Sequence, residues 1–193
     1  MLILLHGKDI YRLRQKLREI EQRYGKIHQG GLNLEKYDIS KTTFQEFWDS
    51  FFQQSMFVKK KLFFLESILS NENFKEQFLK KIKEISESKH NIVVCVEKKE
   101  VPRTERFFRN FIRYGMQQEF ALLTGQLLKN WVKKEFEKQG TTIEDFALKK
   151  LIHFVGNDLW QMSREIQKLS SYSKNIKAED VDLLVKPKIE TEI

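Results

Sequence analysis

Apolar positions along the chain alternate between short unbroken runs and a spacing of three to four residues. Residues 2–5 form an apolar run closed by Gly7, and Leu13, Leu17 and Ile20 then recur at helical spacing over residues 10–24. Strand, glycine, helix is the opening of a βα unit. The stretch LNLEKYDI reads as a second strand, and Thr43 and Glu46 stand at capping-box spacing before an aromatic helix over 44–52. A third strand over 62–65, an amphipathic helix over 74–85 and a fourth strand over 92–96 follow. Pro102 breaks the chain before a helix over 105–114, and MQQEF supplies a fifth strand. Strands this apolar fit a parallel sheet covered on both faces, and their alternation with helices implies right-handed crossovers.

The rhythm changes after Gly125. From there only helices are expected, over 126–138 (ending at Gly140), 143–155 (opened by Thr142 and Asp145), 159–172 and 178–185. The expected organisation is an α/β domain over 1–121, a helical bundle over 122–186, and a terminal linker over 187–193 within KPKIETEI.

Composition narrows the class. The chain has 193 residues, 40% hydrophobic and 32% charged, enough to bury a core and too apolar for disorder. With 2 prolines and no glycine- or serine-rich tract, a long flexible linker is not expected. A formal charge of +8 favours an anionic partner, nucleic acid or an acidic protein surface, without choosing between them. The single cysteine, Cys95, lies inside NIVVCV as a small core residue, which points to a reducing compartment. No run approaches the roughly 20 apolar residues of a membrane span, and the start is too short for a signal-peptide core. The expected location is the cytoplasm.

An α/β domain followed by a small helical bundle is the layout of AAA+ ATPases, which makes the nucleotide machinery the first chemistry to test. A phosphate loop needs several glycines, a lysine for the β- and γ-phosphates and a hydroxyl for magnesium. After the first strand this chain offers Gly7, Lys8 and then Asp9 where a serine or threonine should be, and an aspartate there repels phosphate. The third strand ends in a lone Glu66, with no adjacent aspartate to hold magnesium. His6, His28, His90 and His153 are scattered without metal-ligand spacing, and Cys95 in an apolar strand has the wrong surroundings for a nucleophile. No metal, no cofactor and no catalysis are expected of this chain.

Segments spread over nearly the whole chain resemble the delta subunits of bacterial DNA polymerase III clamp loaders. They are LLHGKDIYRLRQKL, FFQQSMFVKKKLFFLE, NIVVCVEKKEVPRTERFFRNF, the run that contains GNDLWQMSREIQKL, and IKAEDVDLLV. Where active AAA+ relatives carry a phosphate-sensing arginine in the GNDLWQMSREIQKL segment, this chain has Trp160. The resemblance therefore implies an AAA+-shaped protein with a degenerate nucleotide site (Gly7, Lys8, Asp9, Trp160), a non-catalytic subunit of a nucleotidyltransferase holoenzyme. It also implies a wedge, Met56 and Phe57, that enters an apolar pocket of the ring-shaped sliding clamp (beta) and springs it open, with Ser55, Lys59 and Lys60 beside it. From the residues alone, that apolar pair reads more readily as a hydrophobic staple or core edge after the aromatic helix.

Lys59, Lys60 and Lys61 could complement an acidic clamp surface, affecting on-rate more than affinity. Arg103, Arg106, Arg109 and Arg113 recur at helical spacing and form a positive stripe. It suits contact with DNA or another subunit, or a solvated face. The implied partners are the clamp, ATPase and delta-prime type loader subunits, and primer-template DNA, with no membrane. Delta subunits normally carry a third, helical collar domain, which would begin where this chain stops. The competing readings are a nucleotide-dependent AAA+ ATPase subunit and a stand-alone basic nucleic-acid-binding module.

Overall fold

A computed structural model describes residues 1–28, 33–53 and 60–187. The chain divides into two compact units, Met1–Ala121 and Leu122–Ile193.

The first unit alternates strands and helices in chain order: β1 (Leu2–His6), α1 (Ile10–Ile27), β2 (Leu34–Asp38), α2 (Phe44–Phe52), β3 (Lys61–Glu66), α3 (Glu72–Glu87), β4 (Asn91–Glu97), α4 (Arg106–Tyr114) and β5 (Met116–Glu119). The strands make one parallel sheet in the order β2-β3-β4-β1-β5. The chain leaves β1 for the far edge, returns strand by strand to β4, and crosses β1 to finish at the other edge. The order therefore reverses between β1 and β4, and their carboxyl ends frame the crevice where sheets of this kind take ligands.

Alternation along each strand sorts the core by face. Leu2, Leu4, Phe63, Leu65, Val93 and Cys95 pack with α2, α3 and α4. Leu5, Leu62, Phe64, Val94 and Val96 face the other way, toward Leu13 and Tyr24 of α1. The three-helix face is aromatic. Phe47 lies 5.6 Å from Phe63 and 5.9 Å from Phe74, and Phe78 lies 6.2 Å from Phe107, edge-on or tilted. Packing thus accounts for much of the chain's complement of 16 phenylalanines. Cys95 is fully buried, and burial pushes its thiol up, so it is a packing residue.

The capping box that opens α2 forms as its spacing predicts: Glu46 N–H donates to the Thr43 hydroxyl at 3.3 Å, and Thr43 N–H donates to the Glu46 carboxylate at 2.7 Å.

The second unit contains α5 (Gly125–Lys138), β6 (Thr142–Ile143), α6 (Asp145–Val155), α7 (Leu159–Tyr172), β7 (Asn175–Ile176) and α8 (Ala178–Leu184). Val132, Phe136, Leu151, Met162, Leu169 and Val181 are completely buried at helical spacing. The expectation of helices alone is corrected here, because β6 and β7 pair in parallel, Thr142 with Asn175 and Ile143 with Ile176. Thr142 accordingly does not open α6; its amide donates to the Lys174 carbonyl at 2.9 Å, and the helix begins after Glu144. Strands of two residues are too short to show any period.

Replacing Phe47 by alanine should cost about 3–5 kcal/mol of stability. Thr43→Ala should cost about 1 kcal/mol. Urea unfolding followed by circular dichroism checks both, and a Phe47 penalty no larger than the Thr43 one would contradict the aromatic core described above.

Candidate functional site

The turn from β1 into α1 carries Gly7, Lys8 and Asp9. Gly7 has φ +138°, and a Cβ there would stand 2.2 Å from the Phe120 carbonyl oxygen, so only glycine fits. Its N–H lies 3.1 Å from the Glu97 carbonyl and 3.0 Å from that of Lys99. The Asp9 N–H donates to the Phe120 carbonyl at 2.9 Å, and the Phe120 N–H to the His6 carbonyl at 2.7 Å. Amides that a phosphate would need are already donating to the chain's own carbonyls.

The helix terminus is occupied as well. A helix start attracts anions because its first N–H groups are unpaired and its dipole is positive there. Here the anion is internal: Asp9, only 3% exposed, accepts from Arg12 N–H at 3.0 Å and from Arg12 Nε at 2.6 Å. The same guanidinium donates to the Ala121 carbonyl and lies 6.0 Å from the Phe120 ring centre. Lys8 is exposed. In the second unit, Trp160 sits in the first turn of α7, 40% exposed, with its backbone N–H donating to Asp158 at 3.0 Å.

At the reversal point between β1 and β4, sequence reasoning missed a buried pair of polar residues. His6 and Glu97 are register partners at the strand ends, and both are buried. The Val101 N–H donates to His6 Nδ1 at 3.3 Å, which leaves Nε2 as the protonated nitrogen, donating to Gln117 Oε1 at 3.3 Å. Glu97 accepts the Leu69 N–H at 2.9 Å, beside Ser67, whose φ of 64° turns the backbone left-handed. Burial pushes the Glu97 carboxyl up, against the Leu69 amide, the Lys99 charge and the Ile68 amide, which pull it down. Glu66 is not merely solvated, since Lys98 Nζ pairs with it at 2.5 Å. Among the described residues, no group of three or more His, Cys, Asp or Glu could hold a metal ion.

Of the residues expected at the wedge, Ser55, Met56, Phe57 and Lys59 lie outside the described residues, and Lys60 is exposed. The residues flanking this segment are tied to α1 and to α2 by side-chain hydrogen bonds. Lys61 Nζ donates to the Ser50 carbonyl near the end of α2 at 3.0 Å and to Glu35 at 3.3 Å. Glu35 also accepts from the Ser50 and Tyr37 hydroxyls, each at 2.5 Å. Asn91 Nδ2 ties β4 to the Phe51 carbonyl at 2.8 Å, and the Tyr24 hydroxyl holds the Lys60 carbonyl at 2.7 Å. This corrects one expectation. Lys61 is 8% exposed and opens β3, so its charge serves Glu35 and the end of α2, and no outside surface. Burial raises the Glu35 carboxyl, but the hydrogen bonds from Ser50 and Tyr37 and the Lys61 charge outweigh it and hold the group below its ordinary value. Burial and the bond to Glu35 push the Tyr37 phenol up to about 12.

The arginine stripe is shorter than its spacing suggests. Helix α4 starts at Arg106, so Arg103 lies in the preceding turn. Arg106 Nη1 reaches both carboxylate oxygens of Glu76, at 3.0 and 3.1 Å. Arg109 and Arg113 are exposed, with the Arg113 guanidinium 5.3 Å from the Tyr114 ring centre.

Comparison with known proteins gives three kinds of likeness. A family model described as HP_1247_M, middle domain, matches residues 127–183. A probable DNA polymerase III subunit delta from Aquifex aeolicus is 22% identical over 191 residues, 93% of this chain and 52% of that protein. The chain thus spans about half the length of this curated relative. Among solved structures, the Bacillus subtilis DNA clamp loader delta protein superposes with a TM-score of 0.70 at 17% identity, over 97% of this chain and 58% of that one. The RuvB Holliday junction branch migration motor of Thermotoga maritima does so with a TM-score of 0.59 at 15% identity, over 94% and 60%. The fold is AAA+-like, and along nearly its whole length the chain is similar to a DNA polymerase III delta subunit.

The ionised form of Glu35 is the one that accepts these hydrogen bonds, so folding favours proton release. The stability it contributes should be present above the ordinary value of 4.5 and be lost as the pH falls through the lower folded-state value. Glu35→Gln should lower the urea midpoint at neutral pH and flatten its decline in acid. An unchanged acid limb in the variant would show that the network does not carry this charge.

Proposed function

We propose that the chain acts as a delta-type clamp-loader subunit of DNA polymerase III, one that binds the sliding clamp and opens it without hydrolysing ATP. The observation that carries the second half of this reading is the closed β1–α1 turn. In an AAA+-like fold, the helix terminus that would receive phosphate holds Asp9 and Arg12 instead. A nucleotide would have to displace the ion pair of buried Asp9 with half-buried Arg12, and the carbonyls that Gly7 and Asp9 serve. The likeness to delta proteins supports the first half.

On this reading Met56 and Phe57 form the wedge, Ser55 flanks it, and Lys59 and Lys60 offer charge to an acidic clamp surface. Binding one clamp conformation more tightly than another shifts the population toward the open ring, so no nucleotide chemistry is needed in this subunit. Arg109 and Arg113, with Arg103 before the helix, are available for primer-template DNA or a neighbouring loader subunit of the ATPase or delta-prime type. Arg106 is engaged with Glu76. Among the described residues no helix is long and apolar enough to cross a membrane.

Each wedge side chain, fully buried in a clamp pocket, would contribute about 1.5–3 kcal/mol. Met56→Ala with Phe57→Ala should therefore weaken clamp binding by on the order of a hundredfold or more, with little change in melting temperature. A large fall in melting temperature would identify the pair as core instead. Titration calorimetry with Mg-ATP should give no binding heat; a measurable affinity would remove the nucleotide-free reading.

A further inference from the structure

The two faces of the sheet are unequally covered. Five strands about 4.8 Å apart span roughly 19 Å. A helix about 10 Å across covers some two of them. Helices α2, α3 and α4 share one face, while α1 is the helix packed on the other. Where α1 ends its cover, near the start of the strands, a groove of about 430 Å³ remains, floored by Ile3 and Ile92 and walled by Ile20. Met1, Ile27 and Met116 stand at it, 45%, 73% and 56% exposed. Three large apolar side chains left in water at one groove are more than scattered surface apolarity.

Two further features say what would fill it. Among the described residues the groove is lined by Lys16 and Arg23 but by no aspartate or glutamate. Lys16 pairs with Glu19 on its own helix, and no described carboxylate pairs with Arg23. The second feature is the sheet edge. β5 is the last strand in the order, pairs with β1, and is exposed at all four of its residues. Its sequence, MQQE, has no lysine or proline to blunt an open edge, and its one charge, Glu119, is the register partner of His6 on the face away from the groove. The register sets Met116 beside Ile3 and Gln118 beside Leu5, on the groove side of the sheet.

We propose that this corner is a docking site for an acidic, apolar segment of another protein. The segment adds as a strand to β5, puts one large apolar side chain into the groove and sets its carboxylates against Arg23 and Lys16. Backbone pairing supplies affinity, and the groove and its cations supply selectivity. The test of this site does not depend on clamp binding.

The experiment is selection of a random peptide display library on the intact chain, followed by amide-shift mapping with the synthetic consensus peptide. Enriched peptides should combine Leu, Ile, Phe or Met with Asp or Glu. Shifts should centre on Gln117, Gln118 and Glu119. Arg23→Glu and Met116→Glu should each weaken binding by on the order of tenfold, with unchanged circular dichroism. Enriched peptides without acidic character, shifts elsewhere, or indifference to both substitutions would overturn the proposal. So would dodecanoate displacing the peptide without itself shifting β5, or a self-association of the chain that Met116→Glu abolishes.

Discussion

A parallel sheet has to bury both of its faces, and that requirement governs most of what this chain does with its apolar residues. Three helices serve one face and α1 serves the other. The crowded face must fill wide gaps between helices and strands, and it does so with rings: Phe44, Phe47, Phe51, Phe63, Phe74, Phe78, Phe107 and Phe111 form a continuous set. The thinly covered face is mostly aliphatic, with Phe64 and Phe120 as its phenylalanines and the Tyr24 hydroxyl anchoring the entrance of β3. Aromatic abundance and the open groove are thus two results of one unequal allocation of helices.

The same strand order leaves a crevice between β1 and β4, and the chain closes it with its own acids. Asp9 takes the helix terminus and Glu97 takes the Leu69 amide. Both are buried, yet their circumstances differ. Asp9 has a guanidinium on it, whereas Glu97 relies chiefly on amides, and burial raises its carboxyl. The crevice at the strand ends is thus lined by side chains that the fold itself engages.

Much of this fold could be read along the chain because its signals are local. Unbroken apolar runs marked β1, β3 and β4, and the Thr43–Glu46 spacing marked the start of α2. What escaped depends on partners distant in sequence. Lys61 looks like the last of a solvated lysine run, and only its position opposite Glu35 and the end of α2 makes it an interior residue. Glu97 ends an apolar strand and gives no hint that the turn after β3 will fold onto it. β6 and β7 escaped because two residues cannot show alternation. At the candidate site, Asp9 could be read as hostile to phosphate from its charge. Arg12, three residues on, was the available sign that this carboxylate had a partner.

The ties at the roots of residues 54–59 have a mechanical meaning. The last described residue before that segment ends α2 and the first after it leads into β3, and Lys61 bonds across to the Ser50 carbonyl. β3 lies inside the sheet, between β2 and β4. A pull on the segment is therefore divided between a helix and an interior strand, and within the sheet it is resisted as shear by rows of backbone bonds on both sides. A tug that would peel an edge strand one bond at a time must here displace many at once. The segment is thus flanked by a helix on one side and, on the other, by a strand anchored in the sheet interior, away from any edge.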